Sequence, residues 1–241
     1  APLAEWSPRD VALTAHAFGR LQTMPIGFFK AAAEYLPAKT SECQARDLSN
    51  VLWACGRLRF WDDGLMCAVA GHMSGDDADP ERAGPSPLAL FSAQAIGNIV
   101  HACGRLGFRH DGMLREVCSN SRGRLREFTH QNVSNVLHGM AALEYRDEAL
   151  LRAVLSEVVD RRALAGFTPQ AVANTVFAFA QLRGPWRPLL GAVARYVRRP
   201  GRLGAFSALD IASTVSSCVV GVVPPPLQRR RWAQSGRSAA D

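Results

Sequence analysis

The sequence predicts an all-α protein, an α-solenoid of about six helical-hairpin repeats of 37–39 residues. Three observations predict it: a recurring phrase, its regular spacing, and a helix-start signal at a fixed distance before it. The phrase occurs as Leu48-Ser-Asn-Val-Leu-Trp-Ala-Cys-Gly-Arg-Leu58, Ile96-Gly-Asn-Ile-Val-His-Ala-Cys-Gly-Arg-Leu106, Val133-Ser-Asn-Val-Leu-His-Gly-Met-Ala-Ala-Leu143 and Val172-Ala-Asn-Thr-Val-Phe-Ala-Phe-Ala-Gln-Leu182. A fifth copy ends at Leu21, and a worn sixth runs from Ile211 to Gly221, where Gly replaces the closing Leu. The closing residues lie 37, 48, 37, 39 and 39 positions apart. Periods of this size mark units that bury a face only against their neighbours.

Each unit begins with a helix A. Fourteen residues before the closing position stand Ser7, Ser92, Thr129, Thr168 and Ser207, whose short oxygens suit an N-cap; the second unit has Gln44 instead. One residue earlier an apolar side chain (Trp6, Cys43, Phe91, Phe128, Phe167, Phe206) is placed to staple the first turn. Helix A therefore starts near 7, 44, 92, 129, 168 and 207. Its apolar residues recur ten, seven, six and three positions before the end, as in Leu48, Val51, Leu52 and Cys55, which is helical periodicity. Small residues two and four before the end (Gly19, Gly56, Gly104; Ala54, Ala102, Gly139) allow another helix to approach closely.

A second apolar pattern follows a short turn: Phe28, Phe29, Ala32; Leu65, Met66, Val69; Met113, Leu114, Val117; Leu150, Leu151, Val154; Leu189, Leu190, Val193. This is helix B, and the pair makes a hairpin. The polar, Gly- and Pro-rich stretch 75–87 reads as one loop insertion, which accounts for the single long interval. The repeat array is thus expected over 1–221. Residues 222–241 form a basic extension that three consecutive prolines take out of the helical pattern.

The chain carries 28 basic against 21 acidic residues; two of the basic ones, Lys30 and Lys39, are lysines, leaving 26 arginines. Guanidinium groups bind phosphate through two parallel hydrogen bonds and stack on rings, so the bias points toward nucleic acid; a GC-rich coding sequence would produce it too. A more specific signal is the stripe twelve, eight, five and one positions before the end of helix A, where residues share one face. It reads Arg9, Leu13, His16, Arg20; Arg46, Asn50, Trp53, Arg57; Gln94, Asn98, His101, Arg105; Gln131, Asn135, His138, Ala142; and Gln170, Asn174, Phe177, Gln181. Amides can bond exposed base edges, rings can stack on bases and Arg can neutralise phosphate, as single-stranded RNA requires. Two roles fit the Asn and ring positions equally, RNA contact and ties between neighbouring repeats; the arginines could instead serve the carbonyls at their own helix ends. In the extension, Arg229, Arg230 and Arg231 beside Trp232 form a further basic and aromatic cluster.

Other classes find little support. The sequence holds no phosphate-binding Gly-x-x-x-x-Gly-Lys loop, no Gly-x-Ser-x-Gly elbow and no His-Glu-x-x-His, so no enzyme, cofactor or small-molecule substrate is expected. The Gly104-Arg-Leu-Gly107 tetrad sits at a helix end, where a phosphate-gripping loop is not expected. Cys55, Cys103 and Cys218 fall on a core position and no Cys-x-x-Cys occurs, so neither metal nor disulfide is expected. His16, His101 and His138 occupy one slot in different repeats, expected about one repeat rise apart. No apolar run approaches the roughly 18 residues of a membrane span. The chain starts at Ala1 rather than Met, as expected of a processed or trimmed product.

From Pro8 to Gly221, phrases such as Leu48 to Leu58 and Thr168 to Leu182 resemble the repeats of octotricopeptide and heptatricopeptide proteins and the helical part of proteins carrying a RAP domain. Those families are organellar, act on mitochondrial or plastid transcripts and ribosomal RNA, and in several algae and parasitic protists are added subunits of mitochondrial ribosomes. The resemblance implies RNA contact at the Asn and ring positions, a mitochondrial matrix location with plastid as the alternative, and neighbouring proteins of a large particle as partners. The array is short and no RAP-like segment follows the repeats here, so no nuclease activity is implied. Five near-identical units select a sequence poorly, which favours a permanent place on structured RNA. A protein-only scaffold and a transcript-stability factor are the alternatives.

Overall fold

The computed structural model describes residues 3, 5–75, 87–161, 164–184 and 186–222. Among these the regular structure is helical, with no strand. The α-helices are α1 (Pro8–Leu21), α2 (Ile26–Tyr35), α3 (Ala45–Leu58), α4 (Asp63–Ser74), α5 (Ala93–Leu106), α6 (Asp111–Arg124), α7 (His130–Ala142), α8 (Glu148–Leu155), α9 (Pro169–Gln181), α10 (Trp186–Val197) and α11 (Ala208–Val222). Short 3-10 segments precede α3, α5, α7 and α11, and Ser156–Arg161 continues α8 with a π-helical turn. Residues 76–86 of the insertion and 223–241 of the extension, with Arg229, Arg230, Arg231 and Trp232, lie outside the described residues.

Caps fix the starts of the odd-numbered helices. The hydroxyls of Ser7, Ser92, Thr129 and Thr168 each accept from a backbone N–H three residues on, at 3.2 Å, and Ser207 does the same at 3.1 Å. A reverse bond accompanies three of them. The side chains of Asp10, Asn132 and Asp210 accept from the N-cap N–H of Ser7, Thr129 and Ser207. At Gln44 the reverse bond is the decisive one: Asp47 accepts from Gln44 N at 3.0 Å. Each such cap stabilises its helix by about 1 kcal/mol.

The ends are equally uniform. Gln22, Arg59, Gly107, Glu144 and Arg183 have φ between 51° and 74°, in the left-handed region. The N–H of the residue after each bonds back to a carbonyl five residues earlier: Thr23 to Phe18, Phe60 to Cys55, Phe108 to Cys103, Tyr145 to Met140 and Gly184 to Phe179. This closure satisfies orphan carbonyls at the helix end, and only Gly107 adopts it without a Cβ penalty.

The odd-numbered helices pack in succession: α1 on α3, α3 on α5, α5 on α7, α7 on α9 and α9 on α11. Of the even-numbered helices, α2 packs on α4, α4 on α6 and α6 on α8. Small residues set how close the odd helices come. A Cβ on Gly56 would stand 2.9 Å from Cα of Ala102, one on Gly104 2.8 Å from Cα of Gly139, and one on Gly139 would collide with the carbonyl of Val100. One contiguous hydrophobic cluster runs between the helices, from Val11 in α1 to Tyr196 in α10. Two tyrosines lock it at corresponding places: Tyr35 Oη donates to Trp6 O at 2.6 Å and Tyr196 Oη to Phe167 O at 2.8 Å.

The cysteines of the cluster are neutral packing groups. Burial pushes the Cys43 thiol up to about 11 and those of Cys55, Cys103 and Cys118 to about 12. At α11 the packing changes. Ile211 and Val215 are 43% and 57% exposed, whereas the corresponding Leu48 and Leu52 of α3 or Ile96 and Val100 of α5 are buried.

Candidate nucleic-acid interface on the odd-numbered helices

The polar stripe has one consistent burial pattern. The amide position eight before the helix end (Asn50, Asn98, Asn135, Asn174) is half-buried, as are the rings five before the end (His16, Trp53, His101, His138, Phe177). The flanking Arg9, Arg20, Arg46, Arg57, Gln94, Arg105, Gln131 and Gln170 are exposed. This gradation follows from helix geometry: the stripe lies opposite the apolar residues that face the core, with its two middle positions closest to the neighbouring helices.

Three helices bring part of the stripe together. His16, Gly19 and Arg20 of α1, Asn50, Trp53 and Arg57 of α3, and Gln94 and Asn98 of α5 line one open groove of about 450 Å³. Trp53 lies against Gly19, where a Cβ would stand 2.8 Å from its Cζ3, so the small residue lets the indole sit between the two helices. Of these residues, Gly19 is expected from the sequence only as a packing position. The signal for its place beside the groove is that it precedes Arg20 and faces α3.

The rings contact one another across helices. His16 and Trp53 have centroids 4.7 Å apart, His101 and His138 5.3 Å, and His138 and Phe177 6.0 Å. The expectation that His101 and His138 stand about a repeat rise apart is thus corrected: close packing at Gly104 and Gly139 draws α5 and α7 together until their imidazoles touch. Burial, then the neighbouring His138 and Arg105, pull the His101 imidazole down to about 4. His138 and His16 are lowered by the same kind of burial, with Arg105 and Arg20 as the adjacent charges. Both Nδ1 atoms of the His101 and His138 pair are buried without a hydrogen-bond partner among the described residues, an environment that disfavours a second proton. Among the described residues no group of three potential metal ligands occurs.

The amides divide. Asn135 Oδ1 accepts from Gln131 Nε2 at 2.8 Å within α7. Asn50, Asn98 and Asn174 make no side-chain hydrogen bond among the described residues, so they do not act there as ties between helices.

The arginines divide as well. Arg105 Nε donates to Gly56 O at 3.0 Å, joining α5 to the end of α3; it serves the preceding odd helix rather than its own terminus. Arg20, Arg46 and Arg57 make no ion pair or hydrogen bond among the described residues. Elsewhere guanidinium groups are committed. Arg109 reaches Asp111 and the carbonyls of Leu143 and Glu144, and Arg124 holds Glu127, Asn120 and the carbonyl of Phe91. These clamps at the turns were not singled out in the sequence; the Arg-x-Asp and Arg-x-x-Glu spacings are the signal that could have found them.

The arrangement therefore presents unpaired amide donors and acceptors, an indole and open guanidinium groups within a single groove, a set suited to a polyanion that also carries flat rings. No protein-family model and no curated protein matches the chain.

Proposed function

We propose that the chain is a non-catalytic RNA-binding α-solenoid of about six helical-hairpin repeats, built into a mitochondrial ribonucleoprotein, in the first instance the ribosome. The observation that carries this reading is the groove of α1, α3 and α5, in which Asn50, Trp53, Arg57, Gln94 and Asn98 converge with His16 and Arg20. Phosphate contacts from Arg20, Arg46 and Arg57 supply affinity without sequence preference, and the amides and the Trp53 indole of the groove meet bases. The similarity of the repeats to the octotricopeptide and heptatricopeptide families supports an organellar place. The exposed Leu209, Ile211 and Val215 of α11 favour contact with neighbouring proteins of the same particle.

The test is sedimentation of organelle extract with nuclease-footprinted crosslinking of the tagged chain. The expected result is comigration with a ribosomal subunit and recovery of ribosomal RNA. A chain that stays at the top of the gradient and recovers none contradicts the ribosomal reading. Recovery of a defined footprint near a transcript end supports a stability factor instead. A chain with no salt-sensitive affinity for single-stranded RNA supports a protein-only scaffold.

A further inference from the structure

The rings of the stripe form two separate series of tilted contacts, His16 with Trp53, and His101 with His138 with Phe177. No ring contact joins Trp53 to His101, although they occupy the same position on the adjacent helices α3 and α5. The groove spans α1, α3 and α5, with Trp53 in its wall and Gln94 and Asn98, not His101, on the α5 side. Its lining holds Asn50 and Asn98, whose side chains make no hydrogen bond among the described residues, together with Gln94, and Arg20 and Arg57 stand beside them unpaired. Between α5, α7 and α9 the same interval is filled by the protein's own rings. Between α3 and α5, by contrast, open space and unpaired amide side chains meet.

We infer that this groove is a binding slot for a single nucleotide of an RNA strand, and that the other repeats do not each take a base. The base lies against the Trp53 indole, with the amides of Asn50 and Asn98 at its edge. Its phosphates meet Arg20 and Arg57. Amides that both donate and accept can serve more than one base edge, so the slot selects for the presence of a base more than for its identity. The volume of about 450 Å³ lies within the range of about 300–1,000 Å³ usual for small-ligand sites. Stacking on an aromatic side chain is sequence-tolerant because every base has a π-face.

The inference rests on the RNA-binding reading and is tested so that the two fail separately. The full chain is titrated with a single-stranded oligoribonucleotide of about ten residues, a length chosen from the span usual for such sites, and with the same backbone lacking its bases. Trp53→Ala is expected to weaken binding of the normal strand about tenfold, and Asn50→Ala with Asn98→Ala severalfold. His138→Ala and Phe177→Ala should leave it within about threefold, and the abasic strand should bind the unaltered chain and Trp53→Ala alike. Salt-sensitive binding that is indifferent to Trp53→Ala and to the loss of bases overturns the slot and leaves the RNA reading standing. Equal losses at Trp53, His138 and Phe177 overturn the single slot in favour of one base per repeat. Absence of any salt-sensitive binding overturns both. Trp53→Phe, which keeps a flat ring, should retain most of the affinity; a full loss there marks a packing role and overturns the slot.

Discussion

The outward face changes character between α5 and α7. Over α1, α3 and α5 it carries Arg9, Arg20, Arg46, Arg57 and Arg105 and opens into the groove around Trp53. Over α7 and α9 the same positions hold Gln131, Ala142, Gln170 and Gln181, the rings touch in series, and Asn135 is bonded to Gln131. The backbones approach about equally closely at Gly56 and at Gly104, so the contrast lies chiefly in the side chains. The same helix position can thus present a donor on one helix and fill an inter-helix gap on the next, and the basic excess on this face belongs to its amino-terminal half.

The largest expected effect is on stability at the boundary between the two halves. Gly139→Val drives a side chain into the Val100 backbone, so unfolding should be easier by about 2–3 kcal/mol or more in a denaturant titration, since α5 and α7 cannot both keep their places. An unchanged midpoint would show that the helices approach less closely than described. Next comes binding. Arg20→Gln with Arg57→Gln should weaken single-stranded RNA about tenfold or more at low salt and lower the log–log salt slope by about 1.4, the value for two phosphate contacts. Gln131→Ala with Gln170→Ala should change affinity less than about threefold. Equal effects from both pairs would erase the distinction between the halves.

A smaller effect concerns acid. Unfolded imidazoles take up protons near pH 6.5, whereas folded His101 does so only near 4. Between those values the unfolded chain binds more protons, so stability falls as pH is lowered through this window. The melting temperature should drop by a few degrees more in the native chain than in His101→Gln with His138→Gln. His16→Gln, in the open half, should remove less of the drop, because His16 has one ring neighbour and is less enclosed. The smallest effect is at a helix end. Arg59→Gly relieves a left-handed residue and should raise stability by a few tenths of a kcal/mol to about 1 kcal/mol, read as a shifted melting curve.

Much of the helical layout was legible because its causes are local. Ser7, Ser92, Thr129 and Thr168 announce helix starts through short-range hydrogen bonds, and the spacing of Leu48, Val51, Leu52 and Cys55 announces the buried face. The shared face of the stripe was legible for the same reason, since helical periodicity alone aligns Asn50, Trp53 and Arg57. What could not be read was how far apart the helices stand. The contact of His101 with His138 goes with the close backbone approach at Gly104 and Gly139, which depends on both partners at once. The tie from Arg105 to Gly56 spans 49 residues, and no local spacing signals it.

The proposal that the outward face of α1, α3 and α5 holds RNA meets its sharpest check in ultraviolet crosslinking of the full chain to single-stranded RNA, with the attached residues located by mass spectrometry. The account predicts adducts at Trp53 and its neighbours in the groove, lost at high salt. Adducts concentrated on α2, α4, α6 or α8, with none on the odd-numbered helices, would contradict it.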